Sequence, residues 1–471
     1  MEFSNQPILI WFVVGYGVFM LLLGMYYSKK ISSSEDFILA GKSLGPVVLM
    51  GTLLATWVGS GSVTGGQNSL AYSFGIWPAL MSTLPSLIGI ATIFLISSKI
   101  KHYGKYTVAE ILEVKYGKVA SLLAALIIIL AFVGIVSYQY QGLAYILNIS
   151  LGIPVGTGTI IAAVIIIFLA GIGGLMSVAP TDAFSAFLVI FGLIIALPIA
   201  LSSGGGWSEI TSNVPESHLS ATGSLSFLQL MGYYIPTLFL LLGDQNIYQR
   251  MSSSMDDKST KLGTAGWIIG LIIVTPVISI LAFISRSMFP DIEPGMALIA
   301  ITSVLPVVIG GILIAALTAF IVTTGNSYLL SAATSVVYDF VGKYLKKDID
   351  DHQRLVYTRV LIPILGIIAF MLTMYFPTVL SVQMYAYTVY GAGITPALLA
   401  VFLFPKVTKP AGLASMASGL VSTLFWEFFF VQSTGINSAL ISVPIAFIVL
   451  FAVTLFTKGQ HNEMKEVPEN G

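Results

Sequence analysis

The feature that most restricts this chain is a close succession of apolar stretches, each about the length of a helix that crosses a hydrocarbon core. Such a helix needs roughly 20 apolar residues. That ruler finds thirteen stretches: 7–27, 46–73, 75–98, 119–146, 153–174, 176–201, 226–246, 262–287, 306–340, 360–376, 378–404, 411–431 and 439–457. The longest connections lie near 202–225 and 341–359, and residues 458–471 form a short tail. A backbone inside a bilayer has no water to bond to, so it must satisfy itself as helices or a closed barrel, and runs this long and evenly apolar are helices. Composition agrees, since 56% of the 471 residues are hydrophobic and 9% charged, against about 25% charged in a soluble domain. The expected fold is all-α and polytopic, one transmembrane domain over residues 1–457 with a cytoplasmic tail at 458–471.

The basic residues orient the spans. With the N-terminus outside, 20 of the 21 Lys and Arg fall in cytoplasmic connections, Arg250 among them, and Arg286 alone falls outside. That asymmetry is the positive-inside rule, and it predicts thirteen spans with N outside and C inside. The first stretch is too long for a signal-peptide core and has no small-residue cleavage site after it, so it reads as a retained span. Net charge is zero and there is no cysteine, which removes any electrostatic case for nucleic acid and excludes disulfides and thiolate chemistry.

Some spans are poor lipid-facing helices. The second reads Ala55-Thr-Trp-Val-Gly-Ser-Gly-Ser-Val-Thr-Gly-Gly66, four glycines among hydroxyls, and predicts an unwound backbone facing protein, water or an ion. Close helix packing through Gly61 and Gly65 is the plainer alternative. Five spans later Tyr233-Tyr-Ile-Pro236 predicts a second break. Interrupted helices at matching places in two halves mark inverted-repeat transporters, with the site between them. The halves would be residues 46–201 and 226–404, with 7–27, 411–431 and 439–457 peripheral.

Three acids fall within spans: Asp182, Asp244 and Glu427. A charge at the bilayer centre costs about 2.5–3.5 kcal/mol or more, so it is paired or functional. Asp182 has no basic residue within the spans to pair with, which leaves it protonated or visited by a cation. Asp244 reads as part of a cytoplasmic polar network and Glu427 as structural or interfacial. The ninth span carries Thr323, Thr324, Asn326 and Ser327, with positions 323, 326 and 327 on one helix face. Hard oxygens of this kind suit a small hard cation, although Ser and Thr also bond back to helical carbonyls.

Residues 55–62, Thr181-Asp182, Gly243-Asp-Gln-Asn-Ile-Tyr-Gln-Arg250 and the ninth-span cluster together resemble the sodium:solute symporter family, which has the LeuT-type fold with a five-plus-five inverted repeat. The second-span motif is most similar to that of high-affinity choline transporter-like members. The resemblance implies a main sodium site at the backbone of Ala55, Val58 and Phe320 and the hydroxyls of Thr323 and Thr324. It implies a possible second sodium site at Asp182, Thr323, Asn326 and Ser327. Solute candidates around the break are Trp57, Gly59, Ser60, Ser62, Tyr138, Gln141 and Tyr234. Trp57 and Tyr138 match two positions of an aromatic cage, while Asp244 stands where choline transporters have a tryptophan.

The function expected is sodium-coupled symport of a small organic solute into the cell by alternating access, in the plasma membrane of a bacterium or archaeon. Membrane lipid is the other partner, with no nucleic acid and no obligatory protein. The rivals are a proton-coupled symporter using Asp182, a solute sensor and a channel. An enzyme is not expected, since no HExxH, serine–histidine pair or carboxylate dyad is evident.

Overall fold

The protein is described by a computed structural model over residues 7–103, 106–345, 349–376 and 378–457. The tail at 458–471, and Lys105, Lys346, Lys347, Lys458 and Lys465 of the charge argument, lie outside these residues.

The apolar stretches are helical throughout. The first half runs α1 (Leu9–Ser28), α2 (Pro46–Ser60), α3 (Gly66–Phe74), α4 (Ile76–Met81), α5 (Thr83–Tyr103), α6 (Val108–Tyr116), α7 (Lys118–Leu151) and α8 (Val155–Ser203). The second half runs α9 (Phe227–Gly243), α10 (Gln245–Ser252), α11 (Asp257–Met288), α12 (Val307–Ser335), α13 (Asp351–Leu372), α14 (Val379–Gly393), α15 (Thr395–Leu403), α16 (Lys409–Phe429) and α17 (Ala439–Phe456). Local chemistry sets several starts. Thr107 with Glu110, and Ser226 with Gln229, form capping boxes before α6 and α9, each satisfying helix-end donors that lipid could not.

Among the described residues, ten helices are long and apolar enough to cross a membrane, and eleven if the α14–α15 pair, bent by 42°, is one span. Two sequence-defined spans fall short of that measure. Val155–Gly171 has only 17 residues, and α16 is not among the qualifying helices. Gly174 explains the division of α8. Its φ of +52° breaks a run that would otherwise be 49 residues long, and a methyl group there would strike the Phe37 backbone.

α12 lies at the centre, packed against α2, α7 and α8, with α11 against α2 and α9 against α14. Its residues from Leu313 onward are almost all buried. The rim is inverted relative to a soluble protein: Trp11, Phe191, Val421 and Ile448 are exposed apolar side chains, as a lipid-facing belt requires. α16 and α17 pack chiefly on each other and on α14.

The connection at 288–306 is more than a loop. Pro294–Met296, Ala297–Ile301 and Thr302–Val304 form a short apolar helical hairpin limb that is buried. Asn68 of α3 holds it, donating to the Pro294 carbonyl and accepting from Leu298 N, both at 2.8 Å.

Candidate functional site

The glycine-rich span does break. Gly59 adopts φ +23°, ψ −154°, and Gly61–Gly65 forms a wider π-type turn before α3 resumes. Gly59 is required for two reasons: the backbone lies in the left-handed region, and a Cβ would come within 2.7 Å of the Thr324 hydroxyl.

Unwinding frees backbone groups, and two glutamines from other helices take them up. Gln139 of α7 accepts from Ser60 N at 3.1 Å. Gln383 of α14 spans the whole interruption, donating to the Gly61 carbonyl at 2.9 Å and accepting from Gly66 N at 2.8 Å. The Ser60 hydroxyl is paired with Thr64 and reaches the Tyr138 carbonyl at 3.3 Å.

On the other side of the break stands α12. The Thr324 hydroxyl lies 3.2 Å from the Ala55 carbonyl oxygen. Phe320, one turn earlier, is fully buried on the same helix. Thr323 donates back to Ala319 O at 2.9 Å and also lies within hydrogen-bond reach of the Asp182 carboxylate, and the Val58 carbonyl accepts from Gly61 N. Hydroxyl and carbonyl oxygens from two separate helices therefore converge at Thr324 and Ala55, a donor set suited to a hard monovalent ion.

The expectation that Asp182 lacks a basic partner is overturned. Arg250 is not in a cytoplasmic connection; it lies in α10 and is buried, as is Asp182. Its Nη2 is 3.5 Å from Asp182 Oδ2 and 2.8 Å from Ser327 Oγ, its Nε 2.9 Å from Thr52 Oγ1. Thr52 in turn donates to Asp182 Oδ2 at 2.6 Å. The Asn326 amide, in the orientation that satisfies it, donates to Ile166 O at 2.9 Å and Val322 O at 3.2 Å.

The second break also moves. α9 runs unbroken through Tyr233–Pro236, and the interruption falls at Asp244, where φ −58°, ψ +116° separates α9 from α10. A proline in a membrane helix is tolerated when neighbours satisfy the freed groups, whereas Asp244 starts a new helix by accepting from Asn246 N at 2.8 Å. Asp244 is buried and takes a hydrogen bond from Tyr328, and through Asn246, Ser331 and Gln249 it joins a polar chain that ends at the Tyr106 carbonyl. Tyr390 caps the end of α9, donating to Gly243 O at 2.7 Å and accepting from Gln245 N at 3.1 Å.

Two cavities sit one beneath the other. The larger, of 890 Å³, is lined by residues including Tyr145, Tyr233, Glu293, Tyr375, Met384 and Glu427. The inner one, of about 20 Å³, room for a water or two, is lined by Trp57, Ser62, Gln67, Ser86, Gln383 and Tyr387 among others. Tyr233, Leu380 and Met384 line both and form the partition. Trp57 stacks on Tyr387 with centroids 6.2 Å apart and donates to Ser86 at 3.1 Å.

The opposite, lysine-rich face is closed. Val108 N donates to Gln245 at 3.0 Å, Gln249 to the Tyr106 carbonyl at 2.7 Å, and Thr107 to Asp339 at 3.0 Å. Lys343 bonds Asp339 at 3.2 Å, Ser121 at 3.0 Å, and Glu113.

Of the solute candidates, Trp57 and Ser62 line the inner cavity, while Gly59 and Ser60 build the break behind it. The hydroxyls of Tyr138, Tyr387 and the Gln383 amide surround Gly61. Gln141 points elsewhere, to the Thr373 carbonyl at 3.5 Å, and Tyr234 ties α9 to Pro78 O at 2.7 Å. Their neighbours Gln139 and Tyr233 face the site instead. Gln383 and Tyr387 were not singled out from sequence; their i, i+4 spacing on a helix was the available signal.

Comparison with known proteins gives a consistent picture. The family model described as "Sodium:solute symporter family" matches residues 37–419. The high-affinity proline transporter PutP of Bacillus subtilis is 24% identical, with 95% of this chain and 99% of that protein covered. The high-affinity choline transporter 1 of Caenorhabditis elegans is 22% identical over 88% of this chain and 76% of its own. Among solved structures, a Na+-coupled sialic acid symporter in a substrate-bound outward-open state superposes with a TM-score of 0.79 at 18% identity, covering 97% and 98% of the two chains.

Proposed function

The chain belongs to the sodium:solute symporter family, a multi-pass membrane transporter of the plasma membrane and not an enzyme, and we propose that it carries a small organic solute into the cell together with sodium. The frame for this reading is thirteen spans with the N-terminus outside, in which two five-helix halves move against each other.

The observation that carries it is the meeting of Thr324 Oγ1 and the Ala55 carbonyl, 3.2 Å apart, at the point where Gly59 turns the backbone of α2. Sodium held by Ala55, Val58, Phe320, Thr323 and Thr324 would bridge α2 to α12 and favour one arrangement of the two halves. Coupling needs no more than that, since an ion that binds one state better than another shifts the population.

The solute reading rests on the inner cavity. Its named lining is neutral and polar or aromatic, with Trp57, Tyr387 and Gln383 at its wall. Such a surface favours a small solute that is uncharged or zwitterionic, or an amine held by cation–π contact. Proline and choline, named for the relatives, belong to these classes, and either would need the inner cavity to widen into the larger one. The larger cavity opens away from the lysine-rich face, which supports an outward-facing arrangement with N outside.

The test is uptake in proteoliposomes. An inward sodium gradient should drive accumulation of the solute, while a pH gradient in sodium-free buffer should not. Full accumulation under the pH gradient alone would replace sodium coupling with proton coupling.

A further inference from the structure

We propose that the larger cavity is a binding site in its own right, for a small organic cation such as a quaternary or protonated amine, held there while the partition below it is closed. Size separates the two cavities. The inner one, about 20 Å³, has room for a water or two, whereas the larger one, 890 Å³, falls within the roughly 300–1,000 Å³ of small-molecule sites. With Tyr233, Leu380 and Met384 between them, only the larger of the two can hold an organic molecule in this arrangement.

Its lining carries one sign of charge. Glu293, from the connection at 288–306, and Glu427, from α16, both line it, and no Lys, Arg or His does. None of the ion pairs among the described residues includes either acid. Ser438 donates its hydroxyl to Glu427, which orients that carboxylate without neutralising it. A carboxylate within a span and without a basic partner is costly, and a bound cation offsets that cost. Two like charges in a cleft with apolar walls also focus the field and concentrate cations there. The walls suit the alkyl groups of an amine. Phe74 of α3 and Tyr233 of α9 meet with centroids 6.0 Å apart, and Phe376 has Tyr375 and Tyr385 each at 5.3 Å. Tyr385 lies within electrostatic reach of Glu427, and Tyr145 within reach of Glu293, so each acid stands near an aromatic ring. Ring faces attract ammonium groups, and the two carboxylates repel an anion.

Tetraethylammonium, a quaternary ion too large for the inner cavity, is the probe, titrated calorimetrically into the purified full-length chain. It should bind. It should also slow the reaction of a Leu380→Cys variant with an uncharged, membrane-impermeant maleimide by about fivefold or more, since Leu380 lines the floor of this cavity. Benzenesulfonate, of similar bulk and opposite charge, should do neither. Glu427→Gln keeps the shape and an acceptor for Ser438, and should weaken tetraethylammonium about fivefold or more. Glu293→Gln lies on a connection and should act in the same direction, so a folding defect in one variant leaves the other as the test. The double variant should bind more weakly than either. Absence of both heat and protection in the wild type overturns the proposal. So does equal protection by benzenesulfonate, or an affinity unchanged when both acids are replaced. A failure of sodium coupling would show in uptake and leave these measurements as they are, so the two readings fail separately.

Discussion

Gln383 donates its amide nitrogen to the Gly61 carbonyl at 2.9 Å across 322 residues of sequence. The same amide's oxygen accepts from Gly66 N at 2.8 Å. One side chain of α14 thus stands in for the helical bonds lost where the second span unwinds. α14 also supplies Tyr387 to the inner cavity and Leu380 and Met384 to its partition, so the break and the outer closure are mechanically joined.

Removing that amide should be costly. Gln383→Leu leaves two buried backbone groups unpaired, about 1–3 kcal/mol each. The expected result is a clearly lowered melting temperature in detergent and loss of uptake. Gln383→Glu keeps the acceptor for Gly66 N and loses the donor to Gly61 O, and should fall between wild type and Leu. Equal melting temperatures for all three would show that the tether contributes nothing.

The two threonines of α12 should separate. Thr324 faces the Ala55 carbonyl at the break, whereas Thr323 bonds Ala319 O of its own helix and sits beside Asp182. Losing a hydrogen-bond-like contact to a charge costs about 1.5–3 kcal/mol, roughly 10- to 100-fold in affinity. Thr324→Ala should raise the sodium needed for half-maximal uptake by that factor, and Thr323→Ala by less. The reverse order would move the ion toward Thr323.

These residues also mark how far the sequence could be read. Four glycines within residues 59–66 announce the first break because nothing else explains them among the hydroxyls. The second was misplaced because Pro236 is the loudest local signal, yet a membrane helix carries it without breaking; Asp244 breaks the chain through its role as a cap. Arg250 looked like a loop residue because it follows a short polar run, and its partners Asp182 and Thr52 lie 68 and 198 positions away. Ser137–Gln141 is polar at five successive positions, so helical phase alone could not select Gln139 over Gln141. Adjacent Tyr233 and Tyr234 present the same ambiguity.

The chain has no cysteine, so single cysteines report accessibility without background. Leu380 lies in the partition between the cavities. In the Leu380→Cys variant a membrane-impermeant thiol reagent added outside should react, and faster with sodium present, because sodium bridging α2 and α12 holds the outward-open arrangement. A labelling rate indifferent to sodium, measured against potassium at equal ionic strength, would separate sodium binding from outward opening.

The lysine-rich face should act as the opposing closure. Lys343 joins Asp339, which is fully buried, to Glu113 and Ser121, and Asp339 in turn holds Thr107 at the start of α6. Replacing Lys343 by Met leaves the buried Asp339 without its cation, at a cost below the roughly 3–5 kcal/mol of a fully buried pair because Lys343 is partly exposed. The closed inner face is thereby weakened relative to an arrangement in which these carboxylates reach water. In the Leu380→Cys background, Lys343→Met should slow labelling from outside several-fold in sodium-free buffer, with sodium restoring part of it. Unchanged labelling, in a protein that still folds and binds sodium, would mean that the Lys343 cluster stabilises the fold equally in both states and is no gate.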